Sequence, residues 1–393
     1  LKQQFLAMLL ARGMSSVLQA ANLVLLARSA SLEDFGLLAV LTSVSVLILT
    51  FFDLGMSTLI PKSRALNLHE QVSAGLRLNA ISTYLLAAIS TTSFYIGYLF
   101  NQVPLWTVIL VCALALEKKI ETALSVFIAD GNKSIPNFSI LLRRLIPFLG
   151  TATAVWIHDD TILVYSAAYL VVVFLSVLNV DRLLRGRLKV RRSGRHSLRR
   201  IATESWPYFI GNLSAHARYI DTSLVAAVTS ITGAAIYSAA SKVVNPLQLV
   251  PQTLTAILMP HSARLNAVEA RSLVNRLTLA FLSMLLLLVP TTFFAAPIVT
   301  ILFGPDFLAA APVLGVSLLA LPFVTLSSPL GSVLQGQGLE KFVALNGVIT
   351  AAVMLIAIPS FAIMWGVVGA AAAVGFSFTL KCGLLFFRSR SLA

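Results

Sequence analysis

Long apolar runs alternate with short polar breaks from one end of the chain to the other. Each run approaches the roughly 20 residues that a helix needs to cross a hydrocarbon core about 30 Å thick. Six such helices are expected before the midpoint, over Phe5 to Ala27, Gly36 to Ile60, Ala74 to Phe100, Pro104 to Ala129, Phe138 to Ile157 and Thr161 to Val180. Six more are expected after it, over Glu204 to Val228, Gly233 to Met259, Leu273 to Val299, Ala309 to Gln335, Phe342 to Trp365 and Val367 to Phe387. Strands that alternate apolar and polar positions over about ten residues, the mark of a membrane barrel, are absent. The expected fold class is an all-α integral membrane protein of about twelve transmembrane helices.

The polar stretch DRLLRGRLKVRRSGRHSLRR, from Asp181 to Arg200, interrupts this rhythm and divides the helices equally. It suggests a six-helix lobe over 1–180, a basic linker over 181–203 and a second six-helix lobe over 204–393. Two alignments relate the halves. An offset of 199 residues places Pro61 on Pro260, Ser63 on Ser262, Arg77 on Arg276 and Leu78 on Leu277, while SVFIADG from Ser125 matches SVLQGQG from Ser332. Repeats separated by six helices share one orientation in the membrane, and such lobes can rock about a site between them.

Composition adds to this picture. Only 11% of the 393 residues are charged and 58% are hydrophobic, so the chain cannot cover its apolar surface in water. The net charge of +14 could indicate nucleic acid, but its placement indicates a membrane protein. With the helices above, twenty Lys and Arg fall on one side, nine of them in the linker, and Arg28 alone falls on the other, with Glu33, Asp34, Asp159, Asp160 and Asp306. Basic loops are retained in the cytoplasm, which places both termini there. The linker reads as a solvated loop resting on anionic lipid rather than a nucleic-acid site. Cys112 and Cys382 lie inside apolar runs and read as small hydrophobes. The chain begins at Leu1 rather than Met, as if inside a longer natural chain, and its first apolar run shows no cleavable leader.

Charged residues within the helices are the candidate chemistry. A charge at the bilayer centre costs about 2.5 to 3.5 kcal/mol on insertion scales and normally faces protein or a water-filled cavity. The basic residues at depth are Arg12, Lys118, Lys119, Arg143, Arg144, Arg218, Lys242 and Lys381, against Glu117, Glu121, Asp221 and Asp53, which leaves a positive excess. Glu117, Lys118, Lys119 and Glu121 lie midway along helix 4. Lys118 can pair with Glu121 three residues on, leaving one lysine unpaired. Two readings stay open for this cluster: a self-neutralised lock between helices, or a cavity lining. Arg218 and Asp221 are either a structural pair or a contact for cargo or gating, and His216 is either a polar packing residue or part of a proton route. Arg143 and Arg144 lie close enough to the start of helix 5 to snorkel, as Lys381 does near the end of helix 12. A cationic interior suits an anionic cargo, because guanidinium groups bind phosphate in a bidentate fork. No metal-ligand spacing, P-loop or nucleophile elbow occurs, and the outer turns are too short to hold an active site. The chain is therefore expected not to be an enzyme and to carry no cofactor, with proton or sodium coupling left open.

Several stretches carry a resemblance. LARSASLEDFGLLAVLTSVSVLILTFFDLGMSTLIPKSRA contains an Asp34-Phe35-Gly36 step and then Asp53-Leu54-Gly55. AAIYSAASKVVNPLQLVPQTLTAILMPHSARL follows from Ala234, and ILFGPDFLAAAPVL from Ile301. In this order they resemble the polysaccharide transporter family, which includes the Wzx-type O-antigen flippases. The resemblance spans nearly the whole chain. It implies the V-shaped, two-lobed fold of the multidrug, oligosaccharidyl-lipid and polysaccharide exporter superfamily. It also implies a polyprenyl-pyrophosphate-linked oligosaccharide as cargo, flipped across the bacterial cytoplasmic membrane by alternating access. The cargo-binding candidates are then Lys118, Lys119, Arg218, Arg12, Lys242, Arg143 and Arg144. The coupling or gating candidates are Glu117, Glu121, Asp221, His216 and Asp53. Membrane lipids, a polysaccharide polymerase and glycosyltransferases are the implied partners. The competing reading is a cation-coupled multidrug exporter of the same superfamily, which would use the acidic residues.

Overall fold

The computed structural model describes residues 2–132, 134–187, 198–248, 258, 262 and 265–391, and every regular element among them is helical. The first half contains α1 (Lys2–Ser29), α2 (Leu32–Asp53), α3 (Met56–Ala65), α4 (His69–Leu99), α5 (Leu105–Ala129), α6 (Ser134–Ile157) and α7 (Thr161–Arg187). Then come α8 (Leu198–His216), α9 (Asp221–Val228), α10 (Ile231–Val244), α11 (Ala267–Thr292), α12 (Ala295–Phe303), α13 (Ala310–Gly336) and α14 (Glu340–Arg390). Seven of these are long and apolar enough to cross a membrane, so the chain is a multi-pass membrane protein. The 51 residues of α14 hold two spans, because backbone torsions leave the helical range at Trp365 and Gly366 (φ 60°).

The described helices depart from the expected spans at four breaks, one of them where helix 8 passes from α10 into a 3-10 segment, Asn245–Gln248. Helix 2 is not continuous. It stops at Asp53, passes through Leu54 (φ 50°) and Gly55 (φ 77°), and restarts as α3. A Cβ on Gly55 would lie 2.6 Å from the Phe209 amide nitrogen and 2.7 Å from the Ser205 carbonyl oxygen. The close approach of α8, more than the left-handed backbone, demands glycine there. Helix 7 breaks at a short 3-10 segment, Ala217–Ile220. Helix 9 breaks at Phe293 and Phe294, just after Pro290. Polar residues mark the first two breaks, Asp53 at one and Arg218 with Asp221 at the other, and Asn245 with Pro246 marks the one in helix 8, while the run through Phe293 and Phe294 is apolar and shows nothing of its break. Residues 188–197, in the middle of the expected linker, lie outside the described residues, while Asp181 belongs to α7.

The helices form two compact units, Leu1–Ala30 with Val44–His216, and Ser31–Ser43 with Ala217–Ala393. In the first, α5 packs against α3, α4, α6 and α7. In the second, α13 packs against α10, α11, α12 and α14, around a core that includes Val274, Leu330, Val333 and Leu385 with Cys382 buried beside them. The two central helices carry SVFIADG and SVLQGQG at their C-terminal ends, and they end alike. Gly131 (φ 76°) and Gly338 (φ 79°) are left-handed. Asn132 N–H donates to the Phe127 carbonyl at 2.9 Å, and Leu339 N–H to the Leu334 carbonyl at 3.0 Å. This is the six-to-one bond of a Schellman cap. Asp130 and Gln337 occupy equivalent places beside these caps. Asp130 reaches Arg64 at 2.6 Å, and Gln337 donates to the Ser262 carbonyl at 2.5 Å and the Leu265 carbonyl at 3.0 Å. Pro260, on which the other alignment places Pro61, lies outside the described residues.

Candidate functional site

The charges of α5 lead to three different neighbours because successive helical residues point about 100° apart. Glu117 faces α6 and α7. Its carboxylate accepts from Arg143 Nη1 at 2.7 Å, lies 3.4 Å from Arg144 Nη2, and accepts a hydrogen bond from the Tyr169 hydroxyl. Lys119 faces α4 and α7, where Nζ meets Asp181 at 2.5 Å and donates to the Tyr84 hydroxyl at 2.8 Å. Lys118 turns toward the end of α2, 3.5 Å from Asp53 and 3.9 Å from Glu121.

Asp53 is held where the chain breaks. It accepts from the Ser57 amide at 3.2 Å and the Ser57 hydroxyl at 2.7 Å, and from the Thr122 hydroxyl at 3.3 Å. The carboxylate thus satisfies part of the exposed N-terminal end of α3 and ties it to α5, a role that anions commonly take at helix N-termini. The Ser57 hydroxyl in turn accepts from Asn212 Nδ2 at 3.2 Å, which links α8 to the same break.

Two expectations change. No lysine of the helix 4 cluster is left unpaired, because α7 continues far enough to bring Asp181 to Lys119. Arg143 does not snorkel. Its side chain is 3% exposed and bound to Glu117, and its Nε donates to the Ser139 carbonyl at 3.3 Å. Around α5 four cations, Lys118, Lys119, Arg143 and Arg144, meet four carboxylates, Asp53, Glu117, Glu121 and Asp181, so their formal charges cancel.

These pairs are not equivalent. Arg143 and Lys119 have short contacts and side chains 3% and 9% exposed. Arg144 and Lys118 have contacts of 3.4 Å or longer and side chains 25% and 16% exposed. The first two are held by short contacts in buried surroundings, the second two by longer contacts with more of the side chain exposed.

Asp221, Lys242 and Lys381 belong to the second unit. Asp221, at the start of α9, accepts from the Tyr237 hydroxyl at 2.9 Å and from the Thr222 amide at 2.7 Å. Lys242 is half-buried near the end of α10. Lys381 Nζ sits 5.5 Å from the Phe378 ring centroid. The side chains of Arg12, His216 and Arg218 lie outside the described residues. Sequence reasoning missed Tyr84, Tyr169, Asp181 and Ser57. Only Asp181 carried a usable signal, an acidic residue directly after an apolar run.

Residues 1–266 match the family model described as polysaccharide biosynthesis protein. Among solved structures the chain is similar to the lipid II flippase MurJ in its inward closed conformation, at 14% identity and a TM-score of 0.76, covering 97% of this chain and 87% of that one. It is similar to a multidrug resistance MATE family transporter of the MOP superfamily, inward-facing, at 14% identity and a TM-score of 0.68, covering 96% and 94%. A MOP superfamily transporter from Pyrococcus furiosus matches at 13% identity and a TM-score of 0.62, covering 98% and 93%. No curated protein matches the sequence. At such identities the structural likeness establishes the all-helical fold.

Proposed function

Because the chain belongs to the polysaccharide biosynthesis protein family, we propose that it flips a polyprenyl-pyrophosphate-linked oligosaccharide across the bacterial cytoplasmic membrane, with both termini cytoplasmic. The family match is the observation that carries the class of cargo, and the fold shared with a lipid II flippase supports a flipping mechanism. At residue level the support is the unequal pairing around α5. A diphosphate is a stronger and more flexible acceptor than a carboxylate held at 3.4 Å or more, and Arg144 and Lys118 can turn to it without leaving Glu117 and Asp53 unsatisfied. Glu117 keeps Arg143 and Tyr169, and Asp53 keeps Ser57 and Thr122. Partner exchange of this kind leaves Glu117 with the Arg143 cation and Asp53 with its hydrogen-bond donors while cargo is bound. Transport of this kind needs no catalytic residue in the chain. A polymerase and glycosyltransferases are the proposed partners at the two ends of the process.

The test is deletion of the gene in its own host, with polyprenyl-pyrophosphate oligosaccharide quantified in extracted lipids together with its sidedness. Accumulation on the cytoplasmic face, reversed by complementation, is the expected result. Unchanged lipid intermediates with normal surface glycan would overturn the proposal.

A second reading, a cation-coupled drug exporter, is favoured by one observation. Glu121 has a side chain 51% exposed and, among the described residues, a single ion contact at 3.9 Å, so it is a carboxylate open to a cationic guest. Loss of tolerance to cationic dyes in a Glu121→Gln strain, with surface glycan intact, would favour this reading over the first.

A further inference from the structure

Asp53 connects two sides of the first unit through its two oxygens. Oδ1 faces α5, where it lies 3.5 Å from Lys118 Nζ and accepts from the Thr122 hydroxyl at 3.3 Å. Oδ2 faces α3, where it accepts from the Ser57 amide at 3.2 Å and the Ser57 hydroxyl at 2.7 Å. A serine hydroxyl has one proton, and Ser57 gives it to Asp53. Toward any further partner its oxygen can only accept, and Asn212 Nδ2 donates to it at 3.2 Å. The other end of the Asn212 amide accepts from the Thr58 hydroxyl at 3.2 Å. The polarity of the whole row is thereby fixed: Asn212 donates to Ser57, Ser57 donates to Asp53, and Asp53 faces Lys118.

Asn212 lies on α8, which ends where the chain leaves this unit at His216. At Gly55 α8 touches the α2–α3 break so closely that no side chain fits, and the Phe209 and Phe51 rings meet at 5.6 Å. Lys62 and Gln71 hold the preceding turns of α8 through Tyr208 and Glu204, both at 2.7 Å. Asn212 is the contact of α8 that leads to Asp53. Asp53 is 1% exposed, so water does little to screen it and its partners share one charge. When Lys118 turns to another anion, the carboxylate pulls harder on the Ser57 hydroxyl, and a hydroxyl that donates more strongly is a better acceptor. We infer that Asn212 is a positioning residue through which capture of the cargo diphosphate by Lys118 tightens α8 on the α2–α3 break, while release of the cargo loosens it. Lys118 acts here as in the function proposed above, whereas the direction of the change follows from the polarity of the row.

The experiment follows hydrogen–deuterium exchange of peptides within 198–216, for the full chain in nanodiscs with and without a polyprenyl pyrophosphate. Native mass spectrometry checks that the lipid is retained. Bound lipid should slow exchange in α8 about twofold to threefold, the size of a strengthened rather than a new hydrogen bond. Asn212→Ala should retain the lipid and lose this response. Asn212→Asp keeps the shape of the side chain but sets an acceptor against the Ser57 oxygen, so it should lose the response as well. A response that persists in Asn212→Ala, or none in α8 of the parent while the lipid is retained, would overturn the relay. A second measurement needs no cargo: a double-mutant cycle of melting temperature with Lys118→Gln and Asn212→Ala. Without Lys118 the carboxylate depends more on Ser57, so Asn212→Ala should lower the melting temperature further in that background than in the parent. Additive losses would overturn the relay. A lipid that is not retained, with the cycle still coupled, would count against the proposed cargo and leave the relay in place.

Discussion

Arg143 is a cation 3% exposed whose neutralisation depends on one carboxylate, Glu117. Removing one member of a buried pair leaves the other charge stranded and costs about 3 to 5 kcal/mol, whereas removing both for well-packed neutral groups is often nearly harmless. Glu117→Gln should therefore lower the thermal stability of the purified protein sharply, and Glu117→Gln with Arg143→Met should recover most of the loss. A double variant as unstable as the single one would show that the pair is not what locks α6 to α5. Arg144 behaves differently, since it is partly exposed, held by a longer contact and shares Glu117 with Arg143. Removing Arg144 therefore strands no carboxylate, whereas removing Lys118 leaves the buried Asp53 without its cation. Arg144→Gln should leave melting within a few degrees of the parent while surface glycan production falls, and Lys118→Gln should lower both. Arg143→Gln and Lys119→Gln should lower the melting temperature first.

At the scale of elements, three glycines with left-handed torsions make a graded comparison. Gly131 and Gly338 terminate α5 and α13 with nothing within 4 Å of where an added methyl group would stand, whereas at Gly55 a methyl would overlap backbone atoms of α8. Alanine at Gly131 or Gly338 should cost only the left-handed penalty, about 1 to 2 kcal/mol, and by similar amounts at both, because the two caps share one bonding pattern. Gly55→Ala should cost clearly more, since α8 must move away, and should disturb the Asp53–Ser57 cap beside it. Yield of folded protein and melting temperature in detergent check the ranking. Equal losses at all three positions would mean that the approach of α8 is not tight. The two end-caps were legible as a repeated heptapeptide because a Schellman cap is local. The demand for glycine at Gly55 was not legible, because what forbids a side chain there is a backbone from residues 205–209.

For the whole molecule, the composition of the two units matters more than the midpoint of the sequence. The first unit includes residues up to His216, beyond the basic segment, and the second includes Ser31–Ser43 from the start of α2. Cutting the chain within 188–197 therefore removes α8 from the first unit and the start of α2 from the second. Fragments 1–192 and 193–393 are each expected to be degraded when expressed alone and to accumulate when co-expressed, as membrane-fraction immunoblots would show. Stable accumulation of either fragment by itself would mean that the borrowed segments contribute little to its unit.

The sequence by itself determined the membrane character, the rough limits of the spans, the likeness between the ends of the two central helices and the presence of charges at depth. Each of these follows from local hydrophobicity, local turn chemistry or the cost of placing a charge in hydrocarbon, all readable within a short window. Only the tertiary structure decided that Lys119 meets Asp181, that Arg143 and Arg144 share Glu117, and that the chain breaks at Leu54 and Gly55. A helix specifies the face it must bury, but the identity of the neighbour on that face is settled by packing among segments dozens of residues apart. That is why the charges of α5, read from sequence as part of an excess of positive residues, form a neutral network once α6, α7 and the end of α2 are in place.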